Sequence, residues 1–148
     1  MIIGITGGFA PPRPSAVHNL SFKPPSNPHI LLTSQFPFPP ATAAVQQLDT
    51  KPKSIAISDD TTVLVKELEG ILRKLPKEEV PSKDIYGRDI GIFWDGAGFT
   101  WANSAPQGCG TFDSGSSVVV TEDDKKAFDR AVEITETLVQ RGVAHESA

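Results

Sequence analysis

The chain has 148 residues and a formal net charge of −4, with 39% hydrophobic and 22% charged side chains. That is ordinary for one globular domain, which at this size buries roughly 70% of its unfolded surface and needs neither disulfide nor metal to fold. An acidic balance without any Lys/Arg cluster argues against nucleic acid and against anionic membrane, both of which are bound by neutralising phosphates.

The single cysteine, Cys109, has no internal partner, which points to a reducing compartment. Met1-Ile2-Ile3-Gly4-Ile5 is apolar but short, has no basic residue before it and runs into Gly7-Gly8, unlike a secretory signal. No apolar run approaches the ~20 residues of a bilayer span. A cytoplasmic location is expected, and no cofactor is implied. Charge is unevenly placed: residues 1–48 carry only Arg13 and Lys23 as full charges, and the acidic residues begin at Asp49.

Residues 1–57 hold most of the 13 prolines and show no helical period. Short β-type runs lie between the prolines at Met1–Phe9, Ala16–Phe22, Ile30–Ser34 and Ser54–Ile57. In the second, Ala16, His18, Leu20 and Phe22 fall on one face. Proline lacks the N–H of a sheet ladder, so Pro11-Pro12-Arg13-Pro14 and Pro24 to Pro28 read as the connections of a β-meander. Phe36 to Lys53 reads as a longer loop.

A first helix is predicted over 60–75, where Leu64, Leu68, Ile71, Leu72 and Leu75 form one stripe. Ser58, Asp59 or Asp60 caps its start and Pro76 stops it. After a polar linker, Lys77 to Asp84, a hairpin is predicted over 89–103. Asp89–Trp94 and Phe99–Asn103 are its strands, and Asp95-Gly96-Ala97-Gly98 supplies glycines for positive φ at its turn. A loop, 104–115, leads to a short strand at Ser117–Val120. Thr121-Glu122-Asp123-Asp124 is a capping-box pattern opening a helix over 122–141, with Ala127, Phe128, Ala131, Ile134, Leu138 and Val139 on its apolar side. Gly142 suits the C′ position, and 143–148 is a fraying tail. The fold class is therefore α+β: an antiparallel sheet, meander plus hairpin, with two amphipathic helices packed on it, in the order β-β-β-α-β-β-β-α.

Several chemical motifs are incomplete. The opening Met1 to Gly8 resembles the strand that leads into a nucleotide-binding P-loop. However, Phe9-Ala10-Pro11-Pro12 follows, which removes amide donors and forbids the helix, and no Gly-Lys-Ser/Thr is present. His18, His29 and His145 have no metal-ligand spacing. A thiolate at Cys109 needs a base, which only His18 supplies, and then only through the fold. Asp95 and Asp113 are explained as turn residues before they are explained as an acid–base pair. Trp94 and Trp101, either side of the glycine-rich tip, are core residues or anchors for a partner.

Gly7-Gly8-Phe9-Ala10, a helix with Leu64-x-x-x-Leu68, a hairpin with Asp95-Gly96 and a terminal helix with Ala131…Leu138 together resemble emfourin. That is a small family of protein inhibitors of thermolysin-type metallopeptidases. This chain departs from the pattern in its longer proline-rich region, 11–57, and in the 104–115 loop. The resemblance implies a non-enzymatic protein-binding module whose partner is another protein, a peptidase. Preorganised loops avoid ordering entropy on binding, so the expected contacts are Gly8, Phe9, Pro11 and Arg13 in the first turn, and Trp94, Asp95, Gly96, Gly98 and Trp101 at the hairpin. The alternative is a small-molecule-binding protein or enzyme with a pocket between sheet and helices, lined by Trp94, Trp101 and His18.

Overall fold

A computed structural model describes residues 1–5, 16–22, 29–35, 52–78, 84–96, 98–103 and 118–144. The sheet is antiparallel. β1 (Ile2–Ile3), β2 (Ala16–Ser21), β3 (His29–Gln35), β4 (Lys53–Ala56) and β5 (Ile90–Gly91) are arranged in the order β4-β3-β2-β1-β5. The first four form the expected meander, and β5 adds to the free side of β1 through Ile2↔Gly91 and Ile3↔Ile90. β6 (Phe93–Gly96) and β7 (Phe99–Ala102) make a separate hairpin. The helices are α1 (Asp59–Leu72) and α2 (Glu122–Ala144).

Alternation in β2 and β3 turns one face of the sheet towards the helices. Ala16 and His18 on β2, and Ile30 and Leu32 on β3, are buried, while Asn19, Ser21 and Leu31 are exposed. Leu68, Leu72 and Leu75 join Phe128, Ala131, Ile134 and Leu138 in one core with Tyr86, Ile92 and Trp101. Burial of each large side chain there stabilises the fold by roughly 1.5–3 kcal/mol. Glu67 and Arg130 clamp α1 to α2 with two bonds of 2.8 and 3.1 Å.

Both helix starts follow their sequence signals. Ser58 Oγ accepts from the Thr61 amide at 3.2 Å. At α2, Thr121 Oγ1 accepts from the Asp124 amide at 3.1 Å, and the Asp124 carboxylate accepts from the Thr121 amide at 2.9 Å, a reciprocal capping box. The Thr121 hydroxyl also donates to the Asp124 carboxylate at 2.6 Å, and this bond, with the one from the Thr121 amide, holds the carboxyl below its ordinary range.

The structure corrects the expected boundaries. α1 ends at Leu72, and the next three residues form a turn with Lys74 and Leu75 amides on the Ile71 carbonyl. Residues 118–120 join neither sheet; they lead into the α2 cap with Val119 exposed. β1 is shorter than expected because Gly4 turns at φ +86 and bonds the Asp89 carbonyl. Gly142 does not end α2. It lies inside the helix and buried, and a Cβ there would meet Leu32 Cδ2 at 2.5 Å, so glycine allows close approach to β3. The helix accordingly continues through Ala144 rather than fraying at 143.

The single strand expected over Asp89–Trp94 is divided at Ile92 between the two sheets. The preceding loop is organised by Asp84, whose carboxylate accepts from the Gly87 and Asp89 amides. Arg88 ties the loop to Asp129 of α2. Tyr86 is thereby inserted into the core, stacked on Phe128 with ring centroids 4.2 Å apart, and its hydroxyl donates to the Pro76 carbonyl at 2.6 Å. Burial raises the Tyr86 pKa well above its ordinary value.

Candidate functional site

Between the inner face of the sheet and the helices lies an open cavity of about 670 Å³. Its floor comes from β1, β2 and β3 through Ile2, His18, Leu20 and Ile30. α1 contributes Val65 and Leu68, and α2 contributes Thr135 and Leu138. The far wall runs from Gly91 to Asp95 along β5 and β6, with Glu78 and Ala102 beside it. Most of these side chains are apolar, so the lining loses free energy in contact with water and gains it when covered by an apolar body.

The polar groups are few and held in place. His18 is 7% exposed, on the inward-facing period of β2. Its Nδ1 lies 2.9 Å from Ser34 Oγ on the neighbouring strand. Burial, reinforced by the nearby N-terminal charge and opposed by Glu136, lowers its pKa, so the imidazole is neutral at neutral pH. Thr135 turns its hydroxyl back to the Ala131 carbonyl at 2.8 Å. Glu78 is 5% exposed, and its amide donates to the Ala102 carbonyl at 2.9 Å.

The wall at Gly91–Phe93 is fixed where the strand changes sheets. Asn103, fully buried, accepts from the Ile92 amide at 2.7 Å and donates to the Ile90 carbonyl at 2.8 Å. The carboxamide thus satisfies the two backbone groups left over at the break.

The hairpin residues expected to bind divide between cavity wall, turn and core. Trp94 lies half-buried at the cavity, stacked on Phe99 at 5.9 Å, with Nε1 donating to the Gly96 carbonyl at 3.2 Å. Asp95 is exposed at the cavity mouth. Gly96 pairs with Phe99 as a strand residue, so the first strand of the hairpin reaches two residues further than expected, and Gly98 takes the left-handed conformation at φ +76. Trp101 is 3% exposed, and its Nε1 donates to the Leu75 carbonyl at 3.0 Å. It does not line the cavity or face solvent, and its assignment as a contact residue is corrected to core.

Gly8, Phe9, Pro11, Arg13, Cys109, Asp113 and His145 lie outside the described residues. His18 and Trp94, which the sequence suggests as lining residues of a sheet–helix pocket, both border this cavity, whereas nothing in the sequence singles out Glu78 or Asn103. In the sequence Glu78 belongs to a polar linker, and a glutamate two residues after Pro76 carries no signal of burial. Among the described residues no group of His, Cys, Asp and Glu side chains is arranged to hold a metal ion. No helix there is long and apolar enough to cross a membrane.

Comparison with protein-family models, with curated proteins and with solved structures finds no match to this chain.

Proposed function

We propose that the protein binds a small, mainly apolar molecule in the cavity between sheet and helices. The observation that carries this reading is the cavity itself. Its volume of about 670 Å³ falls within the roughly 300–1,000 Å³ of small-molecule sites, and its apolar lining is interrupted by a few oriented polar groups. A sheet and two helices packed only for stability close to near-crystalline density, leaving few voids larger than a water molecule.

Titration with the neutral dye N-phenylnaphthylamine tests the reading. Saturable fluorescence enhancement with one dye per chain is expected. Val65→Trp, which fills the cavity from α1, abolishes it while the far-ultraviolet circular dichroism is retained. A dye signal that Val65→Trp leaves unchanged counts against the cavity as the site.

A second reading, binding of another protein through the hairpin, is favoured by Phe93, 68% exposed beside the exposed Asp95. Large aromatics at a surface anchor interfaces. The resemblance to emfourin makes a thermolysin-type metallopeptidase the partner to try. Undiminished peptidase turnover at large molar excess of this protein removes that version.

A further inference from the structure

We propose that the cavity mouth is a slot for a β-strand, which takes an extended segment of another protein with apolar side chains at alternate positions. The inference rests on the cavity being a binding site and deepens the reading in which a protein docks beside the hairpin.

The slot follows from the unequal lengths of three neighbouring strands. β1 lies between β2 and β5, with Ile2 opposite both Val17 and Gly91. Met1 extends it by one residue, accepting from the His18 amide at 2.8 Å and donating to the His18 carbonyl at 2.7 Å. On one side β2 continues through Asn19, Leu20 and Ser21 in register with β3. On the other, the chain passes from β5 into β6 through Phe93, Trp94 and Asp95 in register with β7. A strand keeps its two neighbours apart by ~4.8 Å on each side. The cavity opens into that interval, with Met1 at its end, Asn19 and Leu20 along one side, and Phe93, Trp94 and Asp95 along the other.

The direction of the main-chain groups matches a strand more closely than a featureless apolar body. Hydrogen-bonding direction alternates along a strand, so Leu20 turns its N–H and C=O the same way as His18, past the end of β1. Asp89 gives its carbonyl to Gly4 beside β1, whereas the Ile90 carbonyl and the Ile92 amide turn away to Asn103. Phe93 has the parity of Asp89, so its N–H and C=O face the slot as well. Among the described residues neither Leu20 nor Phe93 meets a main-chain partner on that side. An inserted strand that runs as β1 does bonds to both edges at once.

Side-chain alternation sets the sequence that fits. Leu20 and Trp94 pack against the core, while Asn19 is exposed and Phe93 is 68% exposed. The inserted residue opposite Leu20 therefore points inwards, as Met1 does opposite His18, towards Val65, Leu68 and Leu138. Its neighbours point outwards, between Asn19 and Phe93. Apolar residues suit the inward positions, and threonine suits the outward ones.

The probes are acetyl-Thr-Phe-Thr-Leu-Thr-amide and the same peptide N-methylated at its Phe and Leu amides, the donors that face β2. The parent peptide is expected to displace N-phenylnaphthylamine saturably and to slow amide hydrogen exchange at Leu20 and Phe93. Exchange at Asn19, whose amide faces β3, stays unchanged. The N-methylated peptide keeps the side chains but loses the bonds to β2, so it is expected to bind roughly tenfold more weakly. Equal displacement by both peptides, or no slowing at Leu20 and Phe93, overturns strand addition and leaves the cavity standing. Dye binding that the parent peptide never displaces does the same. Slowed exchange at Leu20 and Phe93 without any dye binding supports the slot and overturns the small-molecule reading instead.

Discussion

The Asn103 side chain takes the place of a strand partner for Ile92, accepting from its amide at 2.7 Å within the core. Strand 89–94 can therefore pass from the main sheet to the hairpin without leaving a buried amide unsatisfied. Asn103→Ala strands the Ile92 amide and the Ile90 carbonyl, each at a cost of about 1–3 kcal/mol. A loss of about 3 kcal/mol in urea-monitored unfolding is expected, together with weaker dye binding, because Ile92 lies in the cavity wall. A variant as stable as the parent contradicts this role.

The two tryptophans should respond differently. Trp101→Phe removes the bond to the buried Leu75 carbonyl and part of a packed ring, for a loss of about 2–4 kcal/mol. Trp94→Phe keeps an aromatic ring against Phe99 and loses only a partly exposed bond, so about 1 kcal/mol or less is expected. Its larger effect is on dye fluorescence, since Trp94 alone of the pair lines the cavity. Chemical denaturation and energy-transfer quenching distinguish the two.

Gly142→Ala places a methyl 2.5 Å from Leu32 Cδ2, with Ile55 Cγ1 at 3.4 Å. Leu32 is itself buried and cannot swing freely. Overpacking of this kind costs about 1–3 kcal/mol, offset by about 1 kcal/mol of helix propensity. A net loss of about 1 kcal/mol is expected, and Leu32→Val combined with Gly142→Ala should be less than additive. An alanine variant more stable than the parent shows that Leu32 yields without cost.

Where hydrophobic periodicity and local turn chemistry coincide, the fold is legible in the sequence. The stripes Leu64–Leu75 and Ala127–Leu138 pack into the core or against it, the Ser58 and Thr121 caps are formed, and alternation along Ala16–Phe22 puts His18 inward. What escaped depends on long-range contact. Gly142 looks like a helix stop until the strand that it packs against is known. The alternating run Ile90, Ile92, Trp94 looks like one strand because nothing local marks the change of partner, which Asn103 makes possible from eleven residues away. Trp94 and Trp101 are equivalent in pattern, and only the placement of Leu75 and Tyr86 separates the core ring from the cavity ring.

His18 makes stability pH-dependent in a defined direction. Its folded-state pKa lies below the ordinary value, chiefly through burial, so on acidification the unfolded chain takes up the proton first. The full contribution is present above about pH 6.5 and is lost as the pH falls below it towards the folded pKa. The difference in urea midpoint between the parent and His18→Gln should shrink from about pH 7.5 to about pH 5.5. A difference that grows on acidification reverses the assignment.

The most direct measurement is a methyl-resolved NMR titration with decanol, a neutral and mainly apolar probe. Shifts are predicted to saturate together at Val65, Leu68, Ile92 and Leu138, which line the cavity, and to be absent at Val63 and Val119, which are exposed elsewhere. Shifts confined to Val63, Val119 or other surface methyls, or none at all at saturating decanol, would contradict a binding site between sheet and helices.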